Sequence, residues 1–253
     1  MESVLKKKRR IQTGLLLCAI MAVFLPLTGC GDDVDARYQQ GMEFFEQGKY
    51  ERAIVEFSKV IKDNDRDAHA FYNRGQAYLK IEEYELSIAD FSKSLVVNPM
   101  DSDTYYNRGT AYYFLDEYEL AIADYGMTLE LNPQDADAYL YRGLAFAGFG
   151  ENDKALLDYN KALKLNPQHA DAYVKRGHAY IDLDRPKRAV SDYTKALALN
   201  PLDADAYLYR SIGYYFMEQY DKAWDDVHRT ESLNRDIDET FLKDLRMDSG
   251  REK

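Results

Sequence analysis

Cysteine is nearly absent from this 253-residue chain: Cys18 and Cys30 are the only two, too few for a disulfide framework. An excess of positive charge is missing as well, since 33 Lys+Arg face 44 Asp+Glu for a net of −11. That sign excludes the basic surface on which nucleic-acid binding depends. Five of the basic residues (Lys6, Lys7, Lys8, Arg9, Arg10) lie in the first 29, leaving 28 basic and 43 acidic residues beyond them, a net of −15. No apolar run reaches the roughly 20 residues of a membrane span; Ile11 to Leu25 stops at 15. No strand pattern leads into a Gly-rich phosphate loop, and His69, His169, His178 and His228 lack metal-ligand spacing. Serine and cysteine carry no nucleophile signature. The carboxylates recur at fixed intervals, which marks them as helix caps and solvated faces rather than as a catalytic pair. No catalytic residue, metal or cofactor is expected, and the chain reads as a non-enzyme. What is present is apolar content of 46%, enough to exclude disorder, and 22 tyrosines against one tryptophan.

The first 29 residues read as an export signal: a basic stretch from Met1 to Arg10, the short apolar run, then Leu27, Thr28, Gly29 and Cys30. The last four resemble the bacterial lipobox. That resemblance implies cleavage before Cys30, lipid attachment to Cys30 and loss of Cys18 with the signal, leaving 30–33 as a lipidated tether. Two or more acyl chains give stable anchoring where one is marginal. Gly31 stands where an Asp would favour inner-membrane retention in enterobacterial lipoproteins, so the outer membrane facing the periplasm is preferred. Asp32 and Asp33 weaken that preference. An uncleaved anchor, or a secreted protein with an incidental Cys30, are the alternatives.

Beyond residue 33 the chain repeats itself. Asn-Pro recurs at Asn98-Pro99, Asn132-Pro133, Asn166-Pro167 and Asn200-Pro201, a period of 34. The frame gives units 34–67, 68–101, 102–135, 136–169, 170–203 and 204–237. Position 8 reads Gly41, Gly75, Gly109, Gly143, Gly177, Ser211, and position 24 reads Phe57, Phe91, Tyr125, Tyr159, Tyr193, Val227. Position 11 is aromatic throughout, from Phe44 to Tyr214, and position 20 is Ala or Ser. The pattern resembles the tetratricopeptide repeat (TPR). It implies an all-α fold, a right-handed α-solenoid of six helix hairpins with a C-terminal cap in 238–253. In unit two, Ala68 to Ile81 and Glu85 to Val97 suit helices. Asp236 to Met247 reads as the capping helix and the last six or so residues as frayed. Asp65, Ser211, Val227 and Arg235 depart from the pattern, as terminal repeats do when a neighbour is missing.

Position 7 is Arg in repeats two to six, and position 23 is Asp in the same five. Arg74 with Asp90, Arg108 with Asp124, Arg142 with Asp158, Arg176 with Asp192 and Arg210 with Asp226 are therefore expected to form partly buried bidentate pairs. In repeat one the positions hold Gln40 and Glu56.

In tetratricopeptide proteins the first helix of each hairpin lines a concave groove. The resemblance places Tyr38, Phe45, Tyr72, Tyr106, Tyr113, Phe114, Tyr215 and Phe216 there as partner-binding aromatics. Asp35, Asp103, Asp137, Asp171 and Asp205 give the groove an acidic edge. Such a surface favours protein segments with apolar anchors and basic residues. The Lys and Asn set of chaperone-binding repeats is represented only by Asn73 and Asn107. The implied function is a lipid-anchored scaffold or adaptor, as in lipoproteins that pilot secretins, adapt envelope proteases or join outer-membrane insertion machinery. A self-assembling structural protein, stacked through its terminal repeats, is the alternative, ahead of an enzyme with a site in the groove.

Overall fold

The computed structural model describes residues 31–251, and these form thirteen α-helices with no strand among them. Six hairpins follow in order: α1 (Gly31–Glu46) with α2 (Tyr50–Asp63), α3 (Ala68–Lys80) with α4 (Tyr84–Val97), and α5 (Ser102–Phe114) with α6 (Tyr118–Leu131). Then come α7 (Ala136–Gly148) with α8 (Asn152–Leu165), α9 (Ala170–Asp182) with α10 (Pro186–Leu199), and α11 (Ala204–Phe216) with α12 (Tyr220–Ser232). α13 (Glu239–Ser249) closes the stack. Each helix packs on its neighbours in sequence, and alternate contacts join odd-numbered helices, α1 to α3 through α9 to α11. The first helices of the hairpins therefore form the inner, concave layer of an α-solenoid.

Each boundary has a local cause. Asp67, Asp135 and Asp203 accept the amides of Ala70, Ala138 and Ala206, and Asp101 accepts that of Asp103, capping the first helices. His169 takes this place before α9 and accepts the Ala172 amide through Nδ1. In repeats one to five the Asn that follows the second helix leaves it at φ between −138° and −127°, and Asn64, Asn132, Asn166 and Asn200 accept the amide two residues on, forming a turn that separates repeats. Within each hairpin the fifteenth residue turns through positive φ. Glycine does so at Gly48 and Gly150, but Glu82, Asp116, Asp184 and Glu218 do so with a side chain, at φ between 54° and 63°. That conformation carries a steric penalty outside glycine.

The hairpins close on a small-against-large contact. A Cβ added at Gly41, Gly75, Gly143 or Gly177 would lie 2.5–2.9 Å from the ring of Phe57, Phe91, Tyr159 or Tyr193. Repeat six has Ser211 facing Val227, both fully buried. A larger residue at the first position goes with a smaller one at the second, and both stay buried, so the departure leaves this part of repeat six closed.

Both ends differ from the boundaries read in the sequence. α1 already begins at Gly31, within the segment assigned to a tether, and Arg37 explains its length by bridging Asp33 one turn back and Asp63 on α2. α13 starts at Glu239, not Asp236, because Asp238 caps it by accepting the Thr240 and Phe241 amides. It continues through Ser249, where Trp224 Nε1 donates to Ser249 Oγ at 3.1 Å and Gly250 ends it in the left-handed conformation. Residues read as fraying are thus partly helical. Cys30 and the signal segment lie outside the described residues. No described helix is long and apolar enough to cross a membrane.

One partly buried position holds a titratable ring. His178 on α9 lies with its ring centroid 4.0 Å from that of Tyr209 and 5.8 Å from that of Tyr193. Its Nε2 and the Tyr193 hydroxyl are buried without a hydrogen-bond partner. Burial, with help from Lys175 and against Asp205, pushes the His178 pKa down to about 4. The folded state thus binds this proton less well than the unfolded chain, whose histidine titrates near 6.5. The stability this confers is present above pH ~6.5 and is lost as pH falls toward 4. His178→Leu, which copies Leu144 at the same place in repeat four, should remove that component. Urea unfolding at pH 7 and pH 4 should show the parent losing up to about 3 kcal/mol more than the variant; equal losses would contradict it.

Candidate functional site

The inner face places the eight candidate aromatics in two groups. Most are committed to packing. Tyr38 leans on Phe57 at 5.8 Å and accepts a hydrogen bond from Asn73 Nδ2 at 2.8 Å. Tyr72 packs on Phe91, and its hydroxyl accepts from Gln76 and Asn107. Burial first, then Asp103 and Asp101, push the Tyr72 pKa up to about 12. Tyr106 sits between Tyr125 and Tyr141, and burial raises its pKa. Phe45 packs edge-on against Tyr50, and Tyr113 against Tyr118. Tyr215 donates to Asp248 at 2.7 Å and is covered by Phe241, both on the closing helix. These six rings are half-buried. Aromatic rings at helical spacing on the same and adjacent repeats reach one another, so these six serve packing within and between repeats and keep only part of their surface open to a partner. Asn73 is likewise committed, donating to Tyr38 and to the His69 carbonyl.

Phe114 and Phe216 are different, at 54% and 57% exposure. Phe114 is stacked on Tyr84 of the preceding repeat at 5.2 Å, which fixes its ring while leaving one face open. The acidic row is exposed throughout, but its later members have partners. Asp137 meets His169 Nε2 at 3.1 Å, Asp171 meets Lys175 at 3.9 Å, and Asp205 meets Arg235 at 2.7 Å. Asp35 and Asp103 form no ion pair among the described residues. Unpaired carboxylate and exposed aromatic surface therefore lie at the two ends of α5, Asp103 at its start and Phe114 at its end, about 16 Å apart along the helix.

Behind this face runs a ladder of five arginines. Arg74, Arg108, Arg142, Arg176 and Arg210 each hold the aspartate sixteen residues on through Nε and a terminal nitrogen, at 2.6–2.8 Å. The other terminal nitrogen reaches back sixteen residues to the preceding repeat: Arg74 to Ser58, Arg108 to Ser92, Arg176 to Asn160 and Arg210 to Thr194. Four of the five guanidiniums also lie 5.4–6.0 Å from aromatic rings one turn to either side, such as Tyr105 and Tyr112 about Arg108. For Arg74, Arg108 and Arg142 the hydrogen bond to the aspartate raises the pKa more than burial lowers it. Each arginine thus ties its own hairpin together, and all but Arg142 also tie that hairpin to the one before. Repeat one has no predecessor, and its Glu56 is held by Lys59 at 2.8 Å while Gln40 faces solvent. The backward bond of the ladder is not apparent from the Arg–Asp pattern, though a run of Ser58, Ser92, Asn160 and Thr194 at position 25 was a signal for it. No three His, Cys, Asp or Glu among the described residues are placed to hold a metal ion.

Sequence models described as tetratricopeptide repeat match residues 68–101, 102–135 and 170–202, and a related TPR model matches 41–82 and 150–184. The hairpins are tetratricopeptide repeats. Among solved structures, a crystal structure of MamA is 29% identical, covering 65% of this chain and 96% of its own, with a TM-score of 0.61. PilF of Pseudomonas aeruginosa is 19% identical, covering 80% and 92%, with a TM-score of 0.68. YrrB, described as a TPR protein with an unusual peptide-binding site, is 21% identical, covering 70% and 91%, with a TM-score of 0.59. The last two show likeness of fold. No curated protein matches the sequence.

Within these repeats the ladder has one gap. The residue sixteen before Arg142 is Gly126 on α6, half-buried but with open space where an added Cβ would lie, nothing being within 4 Å of it. Gly126→Ser should supply the missing acceptor, since Ser58 at the same position accepts from Arg74 while donating to the Ile54 carbonyl. A gain of about 1–1.5 kcal/mol is expected from helix propensity and the bond together. Gly126→Ala gains about 1 kcal/mol from propensity alone. Thermal unfolding should rank Ser at or above Ala, and the order should reverse in an Arg142→Leu background. An unchanged order would show that the bond contributes nothing.

Proposed function

We propose that this chain is a non-enzymatic interaction scaffold, tethered by lipid on Cys30 to the outer membrane and facing the periplasm, that binds protein segments along its concave face. The observation that carries the reading is the open Phe114 ring on its Tyr84 support, on the same helix as an Asp103 that has no cationic partner among the described residues. An extended segment lying along α5 can place an apolar anchor on Phe114 and a Lys or Arg against Asp103, about 16 Å away. The repeats supply a rigid support, because their tyrosines are fixed by one another and by Asn73, Asn107 and Gln76. Nucleic acid is disfavoured by the charge.

Two features favour the scaffold over stacking end to end. On α1 the positions that hold Arg and, in repeats two to five, buried Ala carry Gln40 and Glu43 instead, both exposed. At the other end α13 buries Leu242 and Leu245 against α12, covering the surface that a seventh repeat would take. Polar ends of this kind keep a solenoid soluble.

Asp103→Asn combined with Phe114→Ala should abolish recovery of proteins crosslinked to the chain in its native host, with the helical circular dichroism unchanged. Unchanged recovery would place binding elsewhere. Cys30→Ser should move the protein from the membrane fraction to the soluble fraction; a variant still bound to membranes would contradict lipid attachment at that residue.

A further inference from the structure

Where each hairpin turns from its first helix to its second, the solenoid presents a charged edge. Positions 16 and 18 hold Glu83 and Glu85, Glu117 and Glu119, and Glu151 and Asp153 in repeats two to four. These acids flank the first turns of α4, α6 and α8, where the helix dipole favours negative charge. Repeat five reverses both signs: Arg185 precedes α10 and Lys187 lies in its first turn. Two cations at the positive end of a helix oppose the dipole, and the same chain solves the problem the favourable way three times over. Nothing structural is gained in return. Arg185 approaches Asp153 only to 3.9 Å with both side chains exposed, a pair of negligible strength, and Lys187 forms no ion pair among the described residues. A local rule broken without compensation is characteristic of a functional position.

A second observation concerns shape. Arg185, Lys187 and Arg188 line an open cleft of about 580 Å³ between repeats five and six, with Pro186, Phe216 and Met217 as its apolar wall and a single carboxylate, Asp184, at its edge, so that cations outnumber acids three to one. Phe216 is 57% exposed there, one of the two most open aromatic rings of the inner face. Arg188 lies over the Tyr180 ring at 5.6 Å and so is held at the margin. The cleft thus combines cations with exposed apolar surface inside a chain of opposite net charge.

We propose that this cleft is a second docking site, which takes an acidic peptide segment of a partner protein with an aromatic or aliphatic residue among its carboxylates. The carboxylates meet Arg185 and Lys187, the guanidinium offering a bidentate fork, and the apolar side chain lies on Phe216 and Met217. An anionic bilayer is a poorer occupant, because a flat surface reaching this edge also meets Glu151, Asp153 and Glu218. The inference does not rest on the reading of the concave groove around Phe114, whose preferred segments carry the opposite charge.

The test is titration of a fluorescein-labelled Glu-Glu-Phe-Glu-Glu peptide with the full chain, read by fluorescence anisotropy. A Lys-for-Glu peptide and phosphatidylglycerol vesicles run in parallel. The acidic peptide should bind, and binding should fall steeply with salt. Arg185→Glu with Lys187→Glu, which restores the pattern of repeats two to four, should weaken binding at least tenfold and raise the unfolding midpoint. A loss of binding with a raised midpoint cannot be a loss of fold. Phe216→Ala should weaken binding severalfold, and the Asp103→Asn, Phe114→Ala variant should leave it unchanged. The proposal is overturned if the parent does not bind the peptide, if the charge-reversed chain binds it equally well, or if only the vesicles bind and the double reversal abolishes that.

Discussion

The arginine at position 7 sets the geometry on which the solenoid depends. In repeats two to six its guanidinium is largely buried, with 14–24% of the side chain exposed, and Asp90, Asp124, Asp158, Asp192 or Asp226 is more buried still. Charges at that depth are tolerable only when every donor and acceptor is matched. The match holds only when helix one, helix two and the second helix of the previous repeat stand in one arrangement. Apolar packing between small residues and rings permits some sliding, whereas a bidentate fork with a third bond to Ser58, Ser92, Asn160 or Thr194 does not. The curvature that creates the inner face is therefore fixed at each junction, most loosely at Gly126, where the third bond is missing.

This constraint also decides which side chains are left for binding. The tyrosine-rich inner layer is chiefly a continuation of the core, with rings from adjacent repeats touching and their hydroxyls bonded to Asn73, Asn107, Gln76 or Asp248. What is left open is sparse and uneven: Phe114 with Asp103 in the middle, and Phe216 with Arg185 and Lys187 further along. The chain's net charge of −11 conceals this polarity, since the two sites favour segments of opposite sign.

The repeat frame, the hairpins, the Gly–aromatic contacts and the Arg–Asp pairs were all legible in the sequence because each recurs at a fixed spacing, so that one observation is made five or six times. The features that escaped are those whose meaning depends on a neighbour one repeat away. Tyr38 and Tyr72 read as exposed groove residues because nothing local shows that the next repeat's Asn73 and Asn107 will bond to them. Ser211 and Val227 read as the departures of a terminal repeat, and only the structure shows that both remain fully buried. The positive φ of Glu82, Asp116, Asp184 and Glu218 was signalled faintly by Gly48 and Gly150 at the same position. Helix ends set by single contacts, Arg37 to Asp63 and Trp224 to Ser249, carry no periodic signal at all.

The most direct measurement of the central claim is a double-mutant cycle on Arg108 and Asp124, with Arg108→Leu, Asp124→Ala and their combination followed by urea unfolding. If the buried pair fixes the junction, each single change strands a charge and costs about 3 kcal/mol, while the double change costs far less than their sum, a coupling of at least about 2 kcal/mol. Strictly additive losses would contradict the account and return the stack to apolar packing alone.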